Sequence, residues 1–126
     1  ISMYGAPDES FFIIKKENIE THIFSYFYLD AIDNDLNFKP FLMNIKYDLE
    51  GFNFKGNQIY ATTYLGDKKQ VISIPKNEPT KFKVISAVYD DAIFLEFRVL
   101  EDNILSLYLT KEGNLFSLVD RDGRVI

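Results

Sequence analysis

His22 is the only histidine in the chain, and its setting limits what it can do. One imidazole cannot build a multi-histidine metal site, and no serine or aspartate pattern around it suggests a nucleophile with its base. It lies beside an apolar run, as a structural or surface histidine does. Asp30, Asp33, Asp35 and Asn37 offer oxygen ligands for a hard cation, and Asp33-x-Asp35-x-Asn37 matches the opening of a calcium loop. Phe38 then stands where that loop needs glycine, and Asn44 where it needs a bidentate glutamate. These carboxylates are therefore expected to solvate a loop and start turns. Asp120-x-Asp122-Gly123 is a second short pattern with the same expectation. With 19 acidic residues present, some carboxylate pair always looks eligible for glycoside hydrolysis, so pairing carries no weight. No dinucleotide, phosphate-loop, nucleophile-elbow or zinc-protease motif occurs. No catalytic, cofactor-binding or metal-ligating residue is assigned, and the chain is expected not to be an enzyme.

The aromatic residues are the remaining clue. There are 12 Phe and 8 Tyr but no Trp. Tyr26 and Tyr28 share a parity with Phe24, and Tyr60 and Tyr64 share one with Thr62. Near the C-terminus, Ile85, Ala87, Phe94, Tyr108 and Phe116 fall among Lys83, Glu96 and Arg98 on the parity that the core does not claim. A purely solvated face would be more polar. Phe94, Tyr108 and Phe116 are thus the candidate partner-binding patch, because aromatics and arginine concentrate in interface cores. The alternative is that a second layer of the domain covers them.

These residues depend on a meander expected over 81–119. A tight turn at Asp90-Asp91 sets Val88 opposite Ile93, Ser86 opposite Leu95, Val84 opposite Phe97 and Phe82 opposite Val99. A turn at Glu101-Asp102-Asn103 lays Leu105, Leu107 and Leu109 beside Val99, Phe97 and Leu95. Lys111-Glu112-Gly113, with Gly113 at positive φ, returns Leu115, Ser117 and Val119 beside the leucines. One apolar face then runs across four strands, and a slip of one residue would put Glu96 and Arg98 on it.

Upstream, FFIIK (11–15) reads as a strand, and 17–32 as a strand in preference to a helix, because IFSYFYL is β-branched and aromatic on both parities. Residues 30–40 form a polar loop. Phe41, Met43, Ile45, Tyr47 and Leu49 alternate with polar residues, as in a half-buried strand. QIYATTYL (58–65) and QVISIP (70–75) pair across a turn at Gly66-Asp67-Lys68-Lys69. The tail holds an Asp-Gly turn and room for one edge strand. No internal repeat is visible.

Eight or nine strands with no firm helix predict an all-β fold. The expected form is an antiparallel two-sheet sandwich, immunoglobulin-like in outline, with an up-and-down lipocalin-like barrel as the alternative. Residues 1–10 are expected as a flexible head and 11–126 as a single domain. At 126 residues and 47% apolar content, the chain can bury roughly two-thirds of its unfolded surface. A net charge of −5 and a pI near 4.8 argue against unaided binding to nucleic acid or acidic membranes. The lack of cysteine removes disulfides, thiol catalysis and thiolate metal sites.

The head itself, ISMYGAPDES, followed by a compact acidic domain, resembles the mature start of a bacterial lipoprotein. The lipid-bearing cysteine of that family is absent from this sequence. The lysine-, asparagine-, isoleucine- and phenylalanine-heavy composition looks like that of an AT-rich bacterial genome. The resemblance implies a place in the cell envelope, at the outer membrane or in the periplasm, with a cytoplasmic location as the alternative. Membrane contact would then run only through an N-terminal lipid anchor. The functional expectation is a non-catalytic protein-interaction domain whose partner is another protein. A carrier holding a small apolar ligand in a barrel interior is the alternative, and an acidic inhibitor or immunity protein the next.

Overall fold

The computed structural model describes residues 1–33, 37–86 and 89–126. The fold is all-β and antiparallel. Its described strands form three sheets, and in each the strands are neighbours in the order in which the chain makes them. The chain divides into two compact units, residues 1–48 and 49–126.

The first unit is one four-stranded meander: β1 (Ser2–Gly5), β2 (Phe11–Asn18), β3 (Ile23–Asp30) and β4 (Lys39–Ile45). Residues 17–32 thus hold a strand, as the aromatic and β-branched content of IFSYFYL requires. The head is not uniformly aperiodic. Ser2 to Gly5 pair along β2, Met3 opposite Ile14 and Tyr4 opposite Ile13, which gives this edge its ladder hydrogen bonds. The apolar face carries Phe11, Ile13, Phe24 and Tyr26, all buried, and Phe11 stacks on Tyr28 at 5.5 Å between ring centroids. Strand β4 departs from the clean alternation expected of it. Phe41 and Leu42 are both buried while Met43 is exposed. The cause is a break in register between β3 and β4, with Asn44 at φ +57° and its main-chain N–H donating to Ser25 Oγ. The strand ends at Ile45, so Tyr47 and Leu49 do not extend the alternation.

The second unit holds two sheets. One is β5 (Glu50–Lys55), β6 (Gln58–Leu65), β7 (Lys68–Pro75) and β8 (Lys83–Val84); the other is β9 (Ile93–Val99), β10 (Asn103–Thr110) and β11 (Gly113–Asp120). They pack face to face around Tyr60, Val71, Ile85, Phe97, Ile104 and Val119, with Phe94 and Val99 against that cluster. This is the two-sheet sandwich of the sequence reading. Among the described residues no sheet closes into a barrel. Strands β2, β6 and β10 begin at Phe11, Gln58 and Asn103, so each sheet is built on an eight-plus-eight hairpin recurring about every 45 residues.

The four-strand meander expected over 81–119 is corrected at three points. Residues 83–84 pair with β7 in the other sheet, Val84 opposite Ile72 and Lys83 opposite Ser73, rather than with β9. Ile85 N–H donates to the Val71 carbonyl and Ser86 Oγ accepts from Val71 N–H, which ties the chain there. Val88 lies outside the described residues. The β9–β10 turn is one residue tighter than expected, so Ile104 faces Val99, Leu105 faces Arg98 and Leu107 faces Glu96. The β10–β11 turn is also tighter, with Thr110 opposite Gly113 and Ser106 opposite Ser117. Two-residue loops suit the strand twist better than three-residue ones, and each slip of one residue reverses which face points inward. The inner face therefore carries Phe97, Ile104, Ser106, Tyr108, Ser117 and Val119, and the leucines face outward.

Candidate functional site

The expected patch of Phe94, Tyr108 and Phe116 is divided between the two faces of its sheet. Phe94 and Tyr108 are directly opposite on β9 and β10, on the inner face, where a bulge between Leu107 and Tyr108 turns Phe94 inward with Phe97. Phe116 lies opposite Leu107 on the outer face and is exposed. What the structure assembles instead is a cleft around the first two rings. Tyr89 packs edge-on to Tyr108 at 5.0 Å and Phe94 does so at 5.6 Å, the geometry that aligns ring edges with ring faces. Tyr64 and the β6–β7 turn form the opposite side. The resulting cleft has a volume of about 290 Å³, and Asp67, Asp90 and Asp91 also line it.

Its cations have defined places. Lys68 Nζ donates to the Asp90 carbonyl at 2.7 Å and reaches the Tyr89 carbonyl at 3.5 Å, which fastens the 89–91 segment to the β6–β7 hairpin. Lys69 Nζ sits 5.9 Å from the Tyr64 ring centroid, within cation–π range. Burial pushes the Tyr108 phenol above its ordinary range, and the neighbouring Tyr89 phenol pushes the same way. A neutral, half-enclosed aromatic wall beside exposed carboxylates can hold a side chain or small ligand. It places no nucleophile next to a base.

The residues singled out for chemistry take structural parts. His22 occupies the β2–β3 turn at φ +54°, exposed, with Nδ1 3.1 Å from Glu17. Asn18 Oδ1 accepts from the Glu20 and Thr21 N–H groups in the same turn. Asp30 Oδ1 accepts from Ile32 N–H and starts a short 3-10 turn at Ala31–Asp33. Asp35 of the calcium-like pattern lies outside the described residues. Asp120 accepts from the N–H groups of Asp122 and Arg124, both at 2.9 Å. The Arg124 main-chain hydrogen bond above all holds its carboxyl below the ordinary range. The D-x-D-G pattern is therefore a turn. Sequence reasoning missed Tyr64 and Tyr89 as partners of Tyr108. They come from three different stretches, and Asp90-Asp91 reads most simply as a hairpin turn.

Sequential antiparallel meanders, one sheet after another along the chain, define an all-β class built from repeated sheets. Solved structures that resemble the chain in fold include parts of prolyl endopeptidase and oligopeptidase chains. One, from a mechanistic study of two prolyl endopeptidases, superposes with a TM-score of 0.71 at 12% identity. Prolyl oligopeptidase B from Galerina marginata gives 0.69 at 14% identity, and oligopeptidase B from Leishmania major 0.67 at 14%. These matches cover 97–98% of this chain but only 18% of each of theirs, so the chain spans under a fifth of those proteins. No protein-family model matches the chain, and no curated protein sequence does. The likeness is one of fold.

Proposed function

We propose that this chain is a non-catalytic interaction module that receives a partner protein's side chain in the cleft between Tyr64, Tyr89, Phe94 and Tyr108. The observation that carries this reading is the convergence of four rings from separate strands and loops on one concave surface lined by acidic residues. Clefts lined by rings, with a few polar groups to orient a ligand, are where proteins bind. The oligopeptidase likeness covers 18% of those chains at 12–14% identity, so it carries fold and no activity. The head's resemblance to a lipoprotein adds an envelope location to the proposal.

The test is a quantitative pull-down from the source organism with the wild-type chain and with Tyr64→Ala/Asp91→Asn, both positions being exposed. The variant should keep the wild-type unfolding midpoint and lose the partner. Equal recovery of the partner by both proteins would move the interface away from the cleft. Turnover in a panel of peptide and glycoside substrates would overturn the non-catalytic reading.

A further inference from the structure

The charged groups that line the aromatic cleft are unevenly engaged. Lys68 donates to the main-chain carbonyls of Asp90 and Tyr89. Lys69 holds its ammonium over the Tyr64 ring. The acids Asp67, Asp90 and Asp91 are exposed, and none of their carboxylates has an ion pair or hydrogen bond among the described residues. Both lysines are thus satisfied within the chain, while the carboxylates are open to an incoming group.

We infer that the side chain this cleft receives is basic, an arginine or lysine of the partner protein; the inference rests on the reading of the cleft as a binding site. Rings and carboxylates together select that charge. The faces of tyrosine and phenylalanine rings are electron-rich, so they attract a cation, and the attraction grows where water is displaced. Tyr64 shows this preference within the chain itself, since Lys69 Nζ already stands 5.9 Å from its ring centroid. The carboxylates beside the rings are acceptors that only a donor can use, and a guanidinium or ammonium consists of donors alone. An acidic side chain would meet like charges there, and an aliphatic one would fill the space while leaving the acids unanswered. Lys68 and Lys69 then take opposite parts. Lys68 holds the Asp90 main chain, and with it the Tyr89 wall, without engaging the Asp90 carboxylate. Lys69 is an internal competitor for the Tyr64 ring, and the partner's cation takes its place.

Titration of the full chain with capped Gly-X-Gly peptides, followed by NMR amide shifts over 64–70 and 89–94, tests it. X is arginine, lysine, citrulline, norleucine or glutamate; citrulline keeps the shape of arginine, and norleucine that of lysine, without the charge. The arginine or the lysine peptide should bind at least about threefold more tightly than its neutral counterpart, and the glutamate peptide should not bind. Asp90→Asn/Asp91→Asn should weaken the basic peptide by a similar factor, and it leaves the Asp90 carbonyl in place for Lys68. Lys69→Gln should do the reverse and tighten it, a gain that misfolding cannot imitate. Equal binding of charged and neutral peptides, binding of glutamate, no binding of either basic peptide, or weaker binding by Lys69→Gln overturns the inference. Those results leave the cleft itself standing as the interface. That reading fails separately, if Tyr64→Ala/Asp91→Asn recovers the partner as fully as the wild type.

Discussion

The two faces of the β9–β11 sheet make opposite use of similar material. The outward face is the more aliphatic, with Leu105, Leu107, Leu109 and Leu118 in register. The inward one mixes the rings of Phe97 and Tyr108 with Ser106 and Ser117, two small polar residues that face each other across strands. Ser117's hydroxyl is buried and has no hydrogen-bond partner among the described residues, a cost the leucine face would not carry. Apolar count therefore does not choose the inner face. Fit does: large rings facing a second sheet need small neighbours beside them so that side chains can interdigitate at normal sheet spacing. Turn length then delivers that face inward.

The largest effect expected from this contrast is at Phe97. It is 7% exposed and packs within the inter-sheet cluster, so Phe97→Ala should cost roughly 3–5 kcal/mol in chemical denaturation. Leu109→Ala, on the outer face, should cost under about 1 kcal/mol in monomer stability. Equal losses would mean that the faces are assigned the wrong way round.

The same contrast shows how much the sequence discloses. The β-class, the β6–β7 and β10–β11 hairpins and the positive φ of Gly113 follow from local chemistry: β-branched and aromatic runs, turn residues, and glycine where L-residues are strained. Phe97 reads as core on either register because its chain neighbours Glu96 and Arg98 put charge on the opposite parity of β9. Register itself is set by a single residue in the Glu101-Asp102 and Lys111-Glu112 turns, and local propensity does not separate two-residue from three-residue loops there. A one-residue difference in the turn carries through to the face, and it places Tyr108 in the core rather than on the outer parity. The pairing of Val84 with Ile72 is a choice between two strands far apart in sequence, which no local signal decides. The recurring hairpin is not legible in the sequence because it repeats in backbone pairing rather than in residue identity. The cleft is the least readable feature, since Tyr64, Tyr89 and Tyr108 meet only after both sheets have formed.

Gly123 sharpens the comparison from the edge of the sandwich. It sits at φ +87°, and a Cβ there would lie 2.9 Å from Ile85 Cα and 3.0 Å from its carbonyl oxygen. Those atoms are main chain of a segment already bonded to β7, so they cannot swing aside. Gly123→Ala should therefore lose about 2 kcal/mol or more, from left-handed strain plus the clash. An unfolding midpoint within error of wild type would show that the tail does not dock on Ile85.

Buried phenols on the inner surfaces supply a pH-dependent test. Burial raises the pKa of Tyr60, with Arg121 opposing, and it is also the main cause of the rise at Tyr108. A raised folded pKa means that the contribution is fully present below the ordinary tyrosine value of about 10 and is lost as pH climbs through the folded value. Stability should thus fall between about pH 9 and pH 11 as the unfolded phenols ionise first. Urea midpoints of Tyr60→Phe and Tyr108→Phe across that range should show a shallower decline. A decline as steep as that of wild type in both variants would assign it to other groups.

The smallest effect separates backbone strain from steric conflict. Gly113 closes the β10–β11 turn at φ +121°, and a Cβ there would meet nothing within 4 Å. Whatever Gly113→Ala costs must come from the backbone alone, whereas Gly123→Ala adds the Ile85 contact to a similar strain. Gly113→Ala should lose about 1 kcal/mol. The Thr110 hydroxyl, which donates to the Gly113 carbonyl at 2.8 Å and accepts from Glu112 N–H at 3.2 Å, should hold the two-residue turn in place despite that loss. Adding Thr110→Val to the glycine variant removes both bonds and leaves the register to the strands themselves. If the leucines face outward because of turn length, the double variant should show altered amide exchange along β11 as well as a lower midpoint. Exchange unchanged along β11 would place the determinant of register in the inter-sheet packing of Phe97, Ile104 and Val119 instead.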